Sequence, residues 1–340
     1  MRSLVAGMIA AFVFCQPAGA QPDEQGFYKG KTVRFVVGFG PGGGYDVYAR
    51  MIAPHLGKAL EASVVVENQP GAGGMTSLSR IYSADPDGLR LTIVQGVGAS
   101  LAQLLGVSGA RYDLGKFEHL GTVSSSPWLW MAGPSTTFKT PQEALALGRQ
   151  LMWAGSAPTD GSADGAAFTC EALRMKCRIV VGYKGSADIA IAVARGEMDS
   201  LYVSDTSALN YVKSSPEVRI IATMARKRSR FFPETPTIFE QLQLNDEQAW
   251  YFDFHSTVED IGRILVTTPG VPTGRLSVLR NAVKAVLTDP AFVEEGEKTQ
   301  RYIDFVDAET TKKRVQDVVT SLPPDKRKRV QDLINRTEGQ

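Results

Sequence analysis

Apolar runs of strand length alternate with segments of helix length along most of this chain, and that order constrains the fold more than any other feature. The first block contains three runs rich in β-branched residues, which favour strands. A β-α-β-α-β order implies a parallel sheet with right-handed crossovers, because parallel neighbours need a connection that crosses the sheet. We predict strands at residues 33–39, 63–67 and 91–95, and helices at residues 46–60 and 76–84.

A second block with the same alternation follows Pro127. It is followed in turn by two further strand-like runs and a helical C-terminal part. We predict strands at residues 151–155, 178–182, 200–204, 219–224 and 263–267, and helices at residues 141–149, 163–174, 187–195, 276–287, 290–300 and 308–321.

The domain organisation follows from length and from the lack of a linker. With 340 residues, 43% of them apolar, the chain is long enough for two domains with their own cores. No low-complexity segment separates the two blocks, so the connections are expected to be crossing strands, near residues 119–126 and 218–225. This predicts a discontinuous first domain, residues 21–123 and 226–340, and a second domain at residues 124–225.

Glycine-rich loops follow two of the predicted strands in the first block. They read FGPGGGYD at residues 39–46 and ENQPGAGG at residues 67–74. Ligands of open parallel sheets bind at the carboxyl ends of the strands, where glycine lets backbone N–H groups approach an anion and a helix N-terminus adds positive charge. Each loop could also be an ordinary tight turn. Together they favour a cleft that binds an anion.

A nucleotide is one candidate for that anion. Gly38, Gly40 and Gly43 satisfy G-x-G-x-x-G after a strand, and Glu67 lies about where a ribose-binding acid belongs. The match is weak by itself. No Gly-Lys-Ser/Thr follows the glycines, which excludes a Walker phosphate loop.

The N-terminus has the three parts of a secretory signal peptide at residues 1–20. Arg2 is followed by an apolar stretch and then by Ala-Gly-Ala, so we predict cleavage after Ala20 and an exported, periplasmic protein. Phe14 precedes Cys15 where a lipoprotein signal needs a small residue, so lipidation is not expected. Export also argues against NAD as the ligand.

Charge and cysteine content narrow the partners further. Of 37 basic and 36 acidic residues the signal peptide removes only Arg2, which leaves a balanced charge and no reason to expect nucleic acid or an anionic membrane as partner. Cys170 and Cys177 remain after processing. In an oxidising compartment they could form a local disulfide, and two buried free thiols are the alternative.

Catalytic and metal-binding motifs are not evident. His55, His119 and His255 stand far apart, with no partner at the spacing of metal ligands, and each is interpreted as a structural or surface residue. There is no G-x-S-x-G, no H-E-x-x-H and no Cys-His signature. We therefore expect no enzyme activity, no metal and no cofactor.

Five motifs together resemble one known family. The two glycine loops are followed by GYKGS at residues 182–186, GEMD at 196–199 and PETPT at 233–237. In order and spacing these resemble the periplasmic solute-binding receptors of tripartite tricarboxylate transporters, also called TctC or Bug-type receptors. The resemblance implies a type II periplasmic-binding-protein fold of two α/β domains with parallel-rich sheets. It also implies a monomer that binds a small carboxylate and delivers it to membrane permease subunits; a receptor that feeds a sensor is an alternative.

The resemblance also implies a set of binding residues. Asp46 is either a helix N-terminal residue or a support for the first loop, and Asn68 is either a turn residue or a support for the second loop. Lys184 could pair with a ligand carboxylate or be solvated, and Trp128 and Trp130 are interpreted as core. The expected ligand-binding residues are Pro41, Gly42, Gly43, Gly44, Tyr45, Gly71, Ala72, Gly73, Gly74, Gly161, Ser162, Ala163, Tyr183, Lys184, Ser204 and Asp205.

Overall fold

Two five-stranded sheets organise the molecule. The computed structural model describes Glu24 and residues 26–338, so the predicted signal peptide lies outside the described residues. The first sheet contains β1 (Thr32–Val37), β2 (Ser63–Asn68), β3 (Arg90–Gln95), β4 (Glu118–Ser124) and β10 (Arg263–Thr267). The second contains β5 (Trp128–Ala132), β6 (Leu151–Ala154), β7 (Cys177–Val180), β8 (Ser200–Ser204) and β9 (Arg219–Thr223).

Helices cover the sheets and form most of the C-terminal part of the chain. In chain order they are α1 (Gly44–Leu60), α2 (Met75–Tyr82), α3 (Gly96–Leu105), α4 (Pro141–Ala146), α5 (Gly161–Ala172), α6 (Ser186–Ala194), α7 (Asp205–Ser214), α8 (Ile238–Gln241), α9 (Asp246–Glu259), α10 (Thr273–Leu287), α11 (Pro290–Lys298), α12 (Ala308–Ser321) and α13 (Pro324–Glu338). In the part of the chain that the structure describes, none of them has the length and apolarity needed to cross a bilayer.

Both sheets are mixed. Their strand orders are β2-β1-β3-β10-β4 and β7-β6-β8-β5-β9. The predicted parallel order is confirmed for β1 with β2 and β3, and for β6 with β7 and β8. Strands β10 and β5 are the exceptions in these parallel-rich sheets, since each runs antiparallel to both of its neighbours. The reason is that the chain enters β5 from the first sheet and β10 from the second, so these strands arrive from the opposite end.

Several helices were absent from the prediction, among them α3, α7 and α9. Helix α3 starts at Gly96 directly after β3, and nearly all its residues are buried, so the sequence carries no turn signal and no polar face. Helix α7 likewise follows β8 without a loop. Helix α9 begins with a capping box formed by Asn245 and Gln248, a signal that the sequence does contain. Aromatic residues on several faces of α9 hide its helical period.

The core crosses from one domain to the other. Trp130 and Trp153 are fully buried, with ring centroids 5.3 Å apart, so the interpretation of Trp130 as core is confirmed. The same buried cluster contains residues of α3 in the first domain and of α5 in the second, joined by Phe252 and Val258 of α9. Helix α9 therefore packs between the domains.

Cys170 at the end of α5 and Cys177 at the start of β7 form a disulfide, with Cα atoms 6.2 Å apart. Their bond closes the turn that joins α5 to β7, where Arg174 has a left-handed φ of 52°. Gln248 of α9 donates a hydrogen bond to the Ala172 carbonyl in the same turn. The bond therefore restrains the edge of the second sheet and the turn on which α9 rests.

Replacing both cysteines by serine should lower the free energy of unfolding by about 2–4 kcal/mol, because the unfolded chain regains the entropy of an open loop. Thermal unfolding with and without reductant checks this. Reductant should lower the melting temperature of the wild type to that of the double variant and leave the variant unchanged. Equal melting temperatures of the two proteins under oxidising conditions would contradict the expectation.

Candidate functional site

A small cavity lies between the two domains, at the carboxyl ends of β1 and β8. Its volume is about 20 Å³, which is room for a single water molecule. Loops and helix N-termini of the first domain form one wall, and those of the second domain form the other. The lining residues are Phe39, Gly43, Gly44, Tyr45, Gln95, Trp128, Ser156, Asp160, Ser162, Ser186, Val203, Ser204 and Ser207.

The first glycine loop brings the start of α1 to this cavity. Gly43 is the N-cap residue of α1, and no side chain accepts a hydrogen bond at that position. A Cβ atom on Gly44 would lie 2.5 Å from Ser207 Oγ in the second domain, so the close approach of the two walls requires glycine there. A Cβ atom on Gly43 would meet Ser186 Oγ only at 3.6 Å. The N-terminal turn of α1 therefore faces the cavity with its N–H groups uncapped.

Two helices of the second domain also begin at the cavity wall. The N-cap residue of α6 is Gly185, which has no side chain, and the hydroxyl of Ser204 at the N-cap of α7 makes no capping hydrogen bond. The first N–H of α7, on Asp205, donates instead to the Pro127 carbonyl. Among the helices away from the cavity, α4, α8, α9, α11 and α12 have side-chain caps, whereas α10, with Pro272 at its N-cap, has none. The N-caps of α1 and α6 differ from all of these because they are glycines at the cavity wall.

Helix α5 is the exception among the helices that reach the cavity. Asp160 caps it, because its carboxylate accepts hydrogen bonds from the N–H groups of Ser162 at 2.6 Å and Ala163 at 3.0 Å. The same carboxylate accepts from the N–H groups of Ser156 and Ala157. The N–H of Gly161 donates to Gln95 Oε1 of the first domain at 2.7 Å. Gly161, Ser162 and Ala163 were expected to bind the ligand, but their N–H groups already donate to acceptors within the protein.

Asp46 and Asn68 support the first loop. Asp46 accepts from the N–H of Gly42 at 2.9 Å and from Arg50, and Asn68 donates to Asp46 Oδ1 and to the Phe39 carbonyl. Burial opposes ionisation of Asp46, but the hydrogen bonds from Arg50, Gly42 and Asn68 hold its pKa below the usual range. Both side chains therefore fix the backbone of the first loop from behind, away from the cavity.

The second glycine loop lies beside the cavity and does not line it. Gly73 packs against the second domain, since its Cβ would approach Ala157 Cβ at 3.0 Å, and Ala72 is exposed. Gly73 and Gly74 line an adjoining cavity, also of about 20 Å³, which shares Phe39 and Gln95 with the first. The two loops thus line neighbouring cavities.

The remaining expected binding residues divide into two groups. The cavity between the domains is lined by Gly43, Gly44, Tyr45, Ser162 and Ser204. Pro41, Gly42, Gly71, Ala72, Gly161, Ala163, Tyr183, Lys184 and Asp205 do not line it.

Lys184 and Asp205 show why the sequence misplaced some of these residues. The Lys184 side chain is exposed, but its backbone carbonyl accepts a hydrogen bond at 2.9 Å from the N–H of Gly40 in the other domain. Asp205 accepts from Ser229 and lines a separate groove at the connections between the domains. Both residues belong to motifs near the cavity, and only the direction of the backbone decides that their side chains leave it.

Residues outside the expected set complete the cavity. Trp128, interpreted as core, lines the cavity and also stacks on Tyr202, with centroids 5.5 Å apart. Gln95 ends β3 and reaches across to Gly161. Arg263 lies behind Gly44 and donates to Ser204 Oγ at 2.7 Å. These side chains come from strand ends far apart in sequence, so no local motif marks them.

A family model described as the tripartite tricarboxylate transporter family receptor, TctC, matches residues 48–335. The chain belongs to this receptor family. It is similar to a protein of Cupriavidus necator called "UPF0065 protein in gbd 5′ region", with 27% identity over 326 residues that cover 92% of this chain and 93% of the relative. The residues of this chain that match the family model begin after the first glycine loop, so the evidence for the role of that loop is its geometry.

Solved structures of related proteins share the fold of this receptor. The periplasmic binding protein BugD matches with a TM-score of 0.74 and 22% identity, covering 92% of this chain and 99% of that one. MatC from Rhodopseudomonas palustris, solved with bound malate, matches with a TM-score of 0.71 and 22% identity, covering 89% of this chain and 99% of that one. The expected fold class of two α/β domains of the periplasmic-binding-protein type is confirmed.

One constellation in the receptor resembles a catalytic site. His255 of α9 contacts Asp164 Oδ1 through Nε2 at 2.8 Å and Glu259 Oε1 through Nδ1 at 3.0 Å, and Tyr202 donates to the same Glu259 oxygen. All four side chains are buried, and none of them lines the cavity. Within the described residues no group of three or more His, Cys, Asp or Glu side chains is arranged to hold a metal. The cluster ties α9 to α5 and β8.

The charge of this cluster depends on pH. Burial by itself would lower the pKa of His255, but Asp164 and Glu259 raise it to about 10. Burial raises the pKa of Asp164 to about 7, although His255 opposes that shift. A histidine with a raised pKa stabilises the fold fully below its unfolded value of 6.5, and that stabilisation is lost as the pH rises towards 10. The shift of Asp164 also favours the fold at lower pH.

We therefore expect the unfolding free energy of the wild type to fall between pH 7 and pH 10 by up to about 1.4 kcal/mol per pH unit. His255→Gln should lower stability at pH 7 and flatten this dependence. His55→Gln, at a side chain that is 41% exposed, is the matched control and should keep the wild-type slope. Urea unfolding across the pH range measures all three; parallel curves for the wild type and His255→Gln would contradict the assignment.

Proposed function

We propose that the protein is an extracytoplasmic receptor that captures a small carboxylate in the cavity between its domains and delivers it to the permease of a tripartite tricarboxylate transporter. The observation that carries this proposal is the uncapped N-terminus of α1, which faces the cavity between the domains together with the start of α6. A carboxylate has only acceptors, so it satisfies N–H groups that the chain itself leaves without caps. Each such helix terminus contributes roughly 0.3–2 kcal/mol to anion binding.

The side chains that line the cavity support a small organic acid as the ligand. Phe39, Tyr45 and Trp128 supply flat apolar surface, and Ser186 and Ser207 supply hydroxyl groups. Such a mixture of aromatic walls and few polar groups is typical of small-ligand sites. MatC, which shares the fold, was solved with malate. We propose a short carboxylate of that class, and the domains must separate to admit it, because the cavity of about 20 Å³ has room for only a water molecule.

A nucleotide is less well supported by the positions of its expected contacts. Glu67, the candidate for ribose binding, lies 3.6 Å from Arg34 Nε and accepts from Gln69 Nε2 at the far edge of the sheet. It does not line the cavity. The glycine pattern alone then remains, and glycine serves a carboxylate equally well.

Closure is the proposed capture step. We propose that the chain divides into residues 21–123 with 226–340 and residues 124–225, and that the second domain moves against the first about the two connections. Hydrogen bonds from Gly40 to Lys184 and from Gly161 to Gln95 join the domains in the closed form. The ligand would be buried by this movement and released when the receptor meets its permease. We further propose that the receptor is a monomer in the periplasm, processed after Ala20.

A panel of ligands tests the proposal against the nucleotide alternative. Malate, succinate and citrate are added to refolded, ligand-free protein, and NAD and ATP serve as competitors of the other class. We expect a carboxylate to raise the melting temperature in a concentration-dependent way and the nucleotides to leave it unchanged. The reverse pattern would reject the receptor. Neighbouring genes for large and small permease subunits would separate a transporter from a sensor.

Gly43→Val tests the first loop directly. Gly43 has a φ of −75°, which valine also adopts, so the fold should persist, while the added methyl groups should fill the space between Gly40 and Ser186. We expect the carboxylate affinity to fall at least about tenfold, a loss of about 1.4 kcal/mol or more. Gly109→Val is the matched control: this glycine is exposed, and its Cβ would meet nothing nearer than 3.7 Å. Titration calorimetry on both variants measures the difference, and unchanged affinity of Gly43→Val would show that the ligand lies elsewhere.

A further inference from the structure

Arg263 is a buried cation without an ion-pair partner. It is the first residue of β10, in the first domain, and 4% of it is exposed. Its guanidinium donates to the hydroxyls of Ser204 at 2.7 Å, Thr206 at 3.0 Å and Ser124 at 3.3 Å. None of the ion pairs among the described residues includes Arg263, and its Nε atom has no hydrogen-bond partner.

An unpaired charge in this position is costly. A buried cation loses its hydration, and hydroxyl groups replace only part of that energy. The rings of Tyr48 and Tyr45 lie 4.8 Å and 5.5 Å from the guanidinium carbon, which adds a modest cation–π attraction. The nearest acid is Asp205: burial raises its pKa and the charge of Arg263 opposes that shift, but its carboxylate accepts from Ser229 and forms no ion pair with Arg263. An anion in the adjoining cavity would supply the missing charge.

The hydroxyls that Arg263 contacts lead into the cavity. A guanidinium can only donate, so Ser204 Oγ must accept from it. The single hydrogen of Ser204 is then free for Ser207 Oγ, to which Ser204 donates at 3.1 Å. Ser207 in turn keeps its own hydrogen for another acceptor. Because Ser207 lines the cavity opposite Gly44, this hydrogen is available to a ligand.

We propose that Arg263 makes the cavity selective for an ionised carboxylate, by placing positive charge behind it and by orienting Ser204 and Ser207 as donors towards the ligand. This inference rests on the proposed function and names how the site chooses its ligand. Arg263 does not line the cavity and is therefore a positioning residue.

The same contacts link the charge to closure. Arg263 belongs to the first sheet, whereas Ser204 and Thr206 belong to the second domain. The hydrogen bonds between them exist only while the domains are together. A carboxylate that offsets the charge of Arg263 thus stabilises the closed form, whereas a neutral ligand of the same shape does not.

The test compares each acid with its neutral amide. Ligand-free wild type, Arg263→Gln and Arg263→Lys are titrated with succinate, malate and citrate and with the corresponding amides. For the wild type we expect binding of at least one acid and weak binding of its amide. Arg263→Gln should weaken binding of the acid by roughly ten- to a hundredfold and leave binding of the amide nearly unchanged. Arg263→Lys, which keeps the charge, should recover part of the preference.

Arg219→Gln is the matched control. Arg219 also donates only to backbone carbonyls and a hydroxyl, at Gly133, Thr136 and Phe138, and it has a buried Nε atom without a partner. It lies on β9 and does not line the cavity. Its replacement should leave the ratio of acid to amide affinity at the wild-type value.

The outcomes separate this inference from the function on which it rests. Equal weakening of acid and amide by Arg263→Gln would mean a structural role and would overturn the inference, as would unchanged binding of the acid. Either result leaves the carboxylate receptor standing. Failure of the wild type to bind any of the three acids would overturn both.

Discussion

Backbone N–H groups at the ends of helices must find acceptors, and the structure meets that demand differently at different helices. Where α4, α9, α11 and α12 begin, a side chain from the N-cap residue accepts. Where α1 and α6 begin, the N-cap is glycine and no side chain is present. Water or a ligand must then satisfy these groups. The cavity, the glycine loop and its supports all follow from leaving them open.

The open helix ends depend on rigid surroundings. Asp46 and Asn68 hold the first loop through hydrogen bonds to Gly42 and Phe39, so its N–H groups are oriented before a ligand arrives. Asp160 has the opposite effect at α5, where it occupies the donors of Ser162 and Ala163 and leaves a closed wall. Preorganisation of this kind reduces the entropy lost on binding. In the proposed function, the end of the cavity at α1 binds the ligand, and the end at α5 only shapes the cavity.

Helices that pack on both domains limit the proposed movement between them. Helix α9 packs on α5 in the second domain and on α3 in the first, through a core that crosses between domains. The buried contacts of His255 with Asp164 and of Glu259 with Tyr202 fix α9 to the second domain. The contacts of Arg263 with Ser204 and Thr206 also join the two domains, and they lie next to the cavity. Closure is thus coupled to charge at the place where a ligand would bind.

The sequence by itself determined the fold class, the family and the position of the first glycine loop. Strand and helix periods, read locally, predict both α/β blocks, and FGPGGGYD places Gly43 and Gly44 at a helix start. These features depend on neighbours in sequence, because glycine, capping residues and apolar spacing act over a few residues. The GYKGS motif ends at Ser186, which lines the cavity.

Only the tertiary structure decided which side chains face the ligand space. Arg263 follows Ser204 by 59 residues and meets it only because β10 returns to the first sheet antiparallel to β3. Ser162 and Ala163 were expected to bind the ligand, but the N–H groups of both donate to the Asp160 carboxylate. The direction of a side chain and the pairing of distant strands depend on packing of the whole chain, and no local pattern encodes them.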